Sequence, residues 1–247
     1  IQNARNFMSA ARTAALKKPI IVMKVGRSEN SGIVEDESQT TTLVNSDQVL
    51  DSIFERCGVL RVDTIEDLFN MSQLLAKQPR PKGNRIAVIS NSKSAALIAT
   101  DSLKGRGELA QLSPKTSATL QKILPTEIES SIPMYLLPNA KPERYIEVMD
   151  VLSRDPNIDA ILAILTPQEL SEPTRTAQLI KQKYSPAVLR KSLNNQPVIL
   201  TCWMGGVEVE VGRDLLVNAG IPSFLFPDTV LQVFNYMWRY SKNLENL

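Results

Sequence analysis

The chain has 247 residues, of which 28 are Lys or Arg and 26 Asp or Glu, for a formal net charge of +2; 43% are hydrophobic and 5% aromatic. This is ordinary globular composition, long enough for a large α/β domain or two small ones, and it lacks the clustered basic, aromatic-studded face of a nucleic-acid binder. There is no histidine and there are only two cysteines, Cys57 and Cys202, which removes Ser-His-Asp and Cys-His catalysis, imidazole metal ligation and phosphohistidine chemistry, and argues against a structural zinc site.

The opening IQNARNFMSAAR reads as an amphipathic helix rather than a secretory signal, and no apolar run approaches the roughly 18 residues that span a bilayer. Two thiols set far apart in apolar runs read as buried free cysteines, and a cytoplasmic protein is expected. Four apolar runs then end in loop signals: PIIVMKVG (19–26), RIAVISN (85–91), IDAILAILTP (158–167) and QPVILTCWMGG (196–206). Continuous Val, Ile and Leu of this kind suit parallel strands covered on both faces, predicted over 19–25, 86–91, 159–165 and 198–203.

Helix patterns fill the intervals. Val49, Leu50, Ile53, Phe54 and Cys57 form a stripe that Gly58 is placed to stop. Thr64 and Asp67 have the spacing of a capping box for a helix carrying Ile65, Leu68, Phe69 and Leu75. Leu215, Leu216 and Ala219 precede Gly220, and Pro227 opens a last helix with Val230, Leu231, Phe234 and Met237 inward. Strands alternating with helices imply a doubly wound parallel sheet. The segment KQPRPKGN (77–84), with two prolines, a glycine and several basic residues, reads as a linker. Only one central strand is evident before it, so residues 1–76 read as the back half of a domain.

Ligands in open α/β sheets bind beyond the carboxyl ends of the strands. Here those ends are Gly26-Arg27-Ser28, Asn91-Ser92-Lys93-Ser94, Thr166-Pro167 and Met204-Gly205-Gly206. Each could equally be a plain strand-to-helix turn.

At these loops the chain resembles the ADP-forming acyl-CoA synthetases, relatives of succinyl-CoA synthetase. The resemblance rests on KPIIVMKVGRS, SQTTTLVNSDQVLDSIFERCGVLRV, RIAVISNSKSAALIATDSL, and CWMGG followed by GRDLL and AGIPSFLFPD. It implies flavodoxin-like doubly wound sheets in two domains. Residues 1–79 would be the C-terminal half of a succinyl-CoA-ligase-like domain, and 80–247 a second, ligase-CoA-like domain. It also implies CoA and ATP or ADP for the whole protein, with no cofactor in this chain.

In the family, as the resemblance implies it, a phosphoryl group passes through a histidine held between two helix N-termini, whose free N–H groups and dipoles favour phosphate. Gln39 occupies the histidine position and Thr41 that of the next glycine; Lys93-Ser94 replace a glycine pair, Ala95-Ala96 a Pro-Gly, and Ile132-Pro133-Met134-Tyr135 an Asn-Pro-x-Asp motif. A glutamine amide nitrogen is not nucleophilic, so it cannot carry the phosphoryl group. Ser38, Gln39, Thr40, Thr41, Asn91, Ser92, Lys93 and Ser94 are therefore the positions of a degenerate phosphate site with no catalytic residue and no metal.

The frame persists at Gly26, Arg27, Ser38, Thr40, Ser46, Asp47, Asp51, Gly58, Asn91, Asp101, Gly205 and Gly206. Ser46 and Asp47 are also suited to capping a helix. This pattern of kept frame and lost nucleophile is similar to the synthetase-like region of bacterial protein lysine acetyltransferases. It implies a non-catalytic scaffold or regulatory region. Its expected partners are the remaining CoA-binding, ATP-grasp or GNAT domains of one protein, or a second copy, with no nucleic acid and no membrane. A fragment of a working synthetase and a small-molecule-binding domain reusing the fold are the alternatives.

Overall fold

A computed structural model describes residues 3–24, 47–168, 170–189 and 196–247. The chain divides into two compact units, one of residues 1–76 with 236–247, the other of residues 77–235.

In the first unit, helix α1 (Ala4–Ala15) starts at Asn3, whose side chain accepts the N–H of Asn6. Strand β1 (Ile20–Met23) follows, then α2 (Asp47–Arg56), β2 (Val59–Val62) and α3 (Ile65–Lys77). β1 and β2 pair in parallel, Ile20 with Val59 through Met23 with Val62. Leu50, Phe54, Cys57 and Val59 are buried together with Ala11, and Phe7 meets Phe54 edge to face at 6.0 Å. Val49, expected in that stripe, is exposed instead. Gly58 makes the turn from α2 into β2 at φ 69°, a conformation that a Cβ disfavours.

The expectation of a single strand before the linker is corrected by β2. The charge inside VLRV disguised it. Arg61 is 3% exposed and its guanidinium meets the Asp51 carboxylate of α2 at 2.8 Å, so a sequence-remote partner allows the charge to be buried. The capping box forms: the Asp67 N–H donates to Thr64 Oγ1 at 3.0 Å, and the Thr64 N–H and hydroxyl donate to Asp67 Oδ2 at 3.2 and 2.8 Å. The inward face of α3, however, is Met71 and Leu74, while Ile65 and Phe69 are exposed. The same box receives the end of the chain, since the Tyr236 hydroxyl reaches Asp63 Oδ2 at 3.1 Å and Asp67 Oδ2 at 3.3 Å.

The second unit contains β3 (Arg85–Ser90), α4 (Lys93–Ser102), β4 (Glu108–Leu109), α5 (Pro114–Ile123), β5 (Met134–Tyr135) and α6 (Pro142–Leu152). It continues with β6 (Ala160–Leu165), α7 (Pro173–Tyr184), α8 (Pro186–Leu189), β7 (Val198–Trp203), α9 (Val207–Asn218), β8 (Ser223–Phe224) and the start of α10 (Pro227–Glu245). All strand pairs are parallel, in the order β4-β3-β6-β7-β8, with β5 pairing the end of β3. Setting β5 aside, this is the 2-1-3-4-5 order of flavodoxin-like sheets. Strands β6 and β7 are buried along their whole length, as their largely apolar sequences favour, with Thr201 of β7 donating its hydroxyl to the Pro222 carbonyl at 2.8 Å. The short strands β4, β5 and β8 have no counterpart in the sequence expectation. The segment 77–84 is more than a linker: Gln78 is buried and donates to the Gly220 carbonyl at 2.5 Å.

Asp155 ties α5 to the turn before β6. It is 4% exposed and accepts the Ser113 N–H at 2.8 Å and the Asn157 N–H at 2.9 Å. Burial alone would push its carboxyl up, but the N–H groups of Asn157 and Ser113 and the hydroxyls of Thr116 and Ser113 together hold it below the ordinary value. A carboxyl depressed by folding contributes stability that is present above its unfolded pKa of about 3.9 and lost as pH falls through the folded value. Asp155→Ala should therefore lower the urea unfolding free energy by about 1–3 kcal/mol at neutral pH. The gap between variant and wild type should close as the pH is taken below that range, and denaturation at a series of pH values checks both.

Candidate functional site

At the carboxyl end of β3 the backbone leaves the sheet. Ser90, the last strand residue, is fully buried and its carbonyl accepts the Leu136 N–H at 2.7 Å. Asn91, also fully buried, has lost its strand partner, and its N–H donates to the Tyr145 hydroxyl of α6 at 3.2 Å. That hydroxyl donates in turn to the Ile164 carbonyl of β6 at 2.9 Å. Burial pushes the Tyr145 hydroxyl up, against the smaller downward pull of the Asn91 N–H, so it stays a donor.

The Asn91 side chain closes the other half of this joint. Its Nδ2 donates to the Thr166 carbonyl at 2.8 Å, and its Oδ1 accepts the Thr166 N–H at 2.9 Å and the Thr166 hydroxyl at 3.2 Å. A carboxamide offers one acceptor and one donor in a plane, as a peptide group does, so the side chain takes the rung that the backbone gives up.

Ser92 then starts α4. Its side chain accepts the Ala95 N–H at 3.4 Å, while its own N–H donates to Ser90 Oγ at 3.0 Å. Lys93 and Ser94 form the exposed first turn, and Ala95 and Ala96 behind them are buried. Asn91, Ser92, Lys93 and Ser94 are thus brought together around a helix N-terminus. The N–H groups of Asn91, Ser92 and Ala95 already have internal acceptors.

The loops that follow β6 and β7 approach each other closely at Gly205. A Cβ on Gly205 would lie 2.8 Å from Pro167 Cγ, so the loops after β6 and β7 touch there and only glycine fits. Gly206 is the N-cap of α9. Met134 and Tyr135, in the stretch that resembles Asn-Pro-x-Asp, form β5 beside the end of β3. Among the frame residues, Asp51 pairs with Arg61, and Asp101 lies exposed at the end of α4 with Lys104 at 3.5 Å. Ser38, Gln39, Thr40 and Thr41 lie outside the described residues, as do Gly26, Arg27 and Ser46. Tyr145 and Ser90 escaped the sequence reading because their roles depend on partners, not on any local motif.

The described residues contain no group of three or more His, Cys, Asp or Glu able to hold a metal, and no helix long and apolar enough to cross a membrane. Cys57 and Cys202 are buried free thiols. Burial pushes both up: Arg12 opposes it at Cys57, and Asp228 adds to it at Cys202. Burial and a raised pKa both work against thiolate reactivity at either position.

The sheet order of the second unit defines a fold class, the flavodoxin-like α/β domains, and residues 1–75, in the first unit, match the succinyl-CoA ligase like flavodoxin domain. The more particular kinship supported is with ADP-forming acetate–CoA ligases. Acetate–CoA ligase (ADP-forming) I of Archaeoglobus fulgidus is 32% identical over 98% of this chain and 33% of its own length. The alpha subunit of acetate–CoA ligase (ADP-forming) II of Pyrococcus furiosus is 30% identical over 99% of this chain and 52% of its own. A crystal structure of a Pyrococcus horikoshii protein superposes with a TM-score of 0.79 at 28% identity, over 99% of this chain and 51% of that one. The dinucleotide-forming acetyl-coenzyme A synthetase 1 of Ca. Korarchaeum cryptofilum shares the fold, with a TM-score of 0.80 at 22% identity. The chain spans between a third and about half the length of these curated relatives.

Two measurements follow from the buried groups. A thiol reagent should modify neither cysteine in the native protein and both in denaturant. Tyr145→Phe, which orphans the buried Asn91 N–H and Ile164 carbonyl, should lower the urea unfolding free energy by about 1–3 kcal/mol.

Proposed function

We propose that this chain is the non-catalytic part of a larger ADP-forming acyl-CoA synthetase-like protein, with a scaffolding or regulatory role. One observation carries the reading: 247 residues contain no histidine, and glutamine stands at position 39 where the family resemblance places the phosphoryl carrier. The loop at the end of β3 supports it. A phosphoryl group needs convergent, unoccupied N–H donors, and three of those around Asn91–Ala95 are already bound internally. Lys93 offers a flexible charge in place of fixed dipoles. Ordering its side chain costs on the order of 1–2 kcal/mol.

The division into a succinyl-CoA-ligase-like part, 1–79, and a ligase-CoA-like part, 80–247, belongs to the same proposal. So do CoA and ATP or ADP as ligands of the other domains, a cytoplasmic setting, and a possible second copy as partner. In its sharpest form, the region serves a GNAT acetyltransferase domain in the same protein. A second reading, part of a working synthetase whose partner is an ATP-grasp domain, is favoured by similarity to acetate–CoA ligases over 98–99% of the chain.

The full-length protein decides between them. With γ-labelled ATP, CoA and acetate it should leave no phosphate on residues 1–247 and form no acetyl-CoA. Stoichiometric label on this region, or ADP-linked acetyl-CoA formation, overturns the first reading in favour of the second. Gln39→His alone should also remain unlabelled. The informative comparison is the same variant carrying Thr41→Gly, Lys93→Gly and Ser94→Gly as well, because full labelling of the single variant would show that the second loop was never an obstacle.

A further inference from the structure

In a sheet of order 2-1-3-4-5, the connections after the first and third strands leave toward opposite faces, and the crevice between them is the ligand site of such folds. In the second unit those strands are β3 and β6. We propose that this crevice is filled by the protein's own side chains, with the Asn91 carboxamide seated between the strand ends in place of a ligand, so that no mononucleotide enters there.

The occupancy is specific. The β3–β6 ladder runs to the pair Ser90 and Ile164. Beyond it, where the backbones part, Asn91 presents a donor to the Thr166 carbonyl at 2.8 Å and an acceptor to the Thr166 N–H at 2.9 Å. These are the strand-end polar groups that a ligand entering between β3 and β6 would meet first. The Tyr145 hydroxyl, inserted from α6, takes the Asn91 N–H and the Ile164 carbonyl, the other polar groups at the mouth.

A ligand would have to displace a side chain already tethered in position and leave buried polar groups to find new partners. On the next side, Pro167 and Gly205 pack too closely to admit a Cβ, which narrows the gap between the ends of β6 and β7 at that point. Asn91 is thus the residue that sets what the second unit can bind. This inference concerns the strand-end crevice and stands apart from whether a phosphoryl group visits residue 39.

Backbone hydrogen exchange of the whole chain, with and without millimolar ADP, tests it. In the wild type, exchange in segments 89–92 and 164–168 should be slow and unchanged by ADP. In Asn91→Ala, exchange in both segments should accelerate by about tenfold or more, the loss of at least one net hydrogen bond. Slowing of either wild-type segment by ADP overturns the proposal, because it places a mononucleotide in the crevice. Unchanged exchange in Asn91→Ala overturns it too, because the carboxamide would then not be what holds the crevice shut. If Asn91→Ala fails to fold, the wild-type comparison with ADP decides alone.

Discussion

A parallel strand that leaves its sheet must do something with the polar groups it abandons, and in the second unit that demand falls at the end of β3. Strands β3 and β6 are buried in the middle of the sheet, where an unpaired carbonyl or N–H has no water to turn to. The chain meets the demand with one carboxamide and one phenol. Asn91 continues the ladder through its side chain while its backbone turns toward α4, and Tyr145 accepts the N–H thereby released. The joint lies directly before α4 and beyond the last β3–β6 pair, Ser90 and Ile164.

The same joint bears on chemistry. A phosphate-binding loop works by holding N–H groups open toward a ligand. Here Ser90 Oγ, Ser92 Oγ and the Tyr145 hydroxyl turn three of them inward, and an exposed lysine and serine occupy the first turn of the helix. These three donors are spent on the protein itself. Gln39 and the inward-bonded loop at 90–95 lie in separate parts of the sequence, and both enter the reading proposed above.

How much of this was legible in the sequence depended on how local each signal was. β3, β6 and β7 announced themselves because a strand covered on both faces needs no polar residues and so reads as an apolar run. β4, β5 and β8 are two residues each, too short to carry a period. β2 was hidden by Arg61, whose burial depends on Asp51, ten residues earlier in another element. α3 was found through its capping box, which is local, but its buried face is Met71 and Leu74, while of the apolar residues read on it Ile65 and Phe69 are exposed and Leu68 and Leu75 half-buried. The 91–94 loop could be located from the end of an apolar run. What Asn91 does there could not, because its partners lie 54 and 75 residues downstream.

The joint has one more consequence, for the chemical ageing of the chain. An asparagine followed by serine is prone to deamidation, in which the next backbone nitrogen attacks the side-chain carbonyl carbon and closes a five-membered ring. At Asn91 both reactants are restrained: the Ser92 N–H is bound to Ser90 Oγ, and the carboxamide is pinned flat against Thr166. Ring closure would require the nitrogen and the amide plane to leave these partners together. The arrangement that completes the sheet edge therefore also slows the conversion of Asn91 to an aspartate, whose charge would face the Thr166 carbonyl in a dry interior.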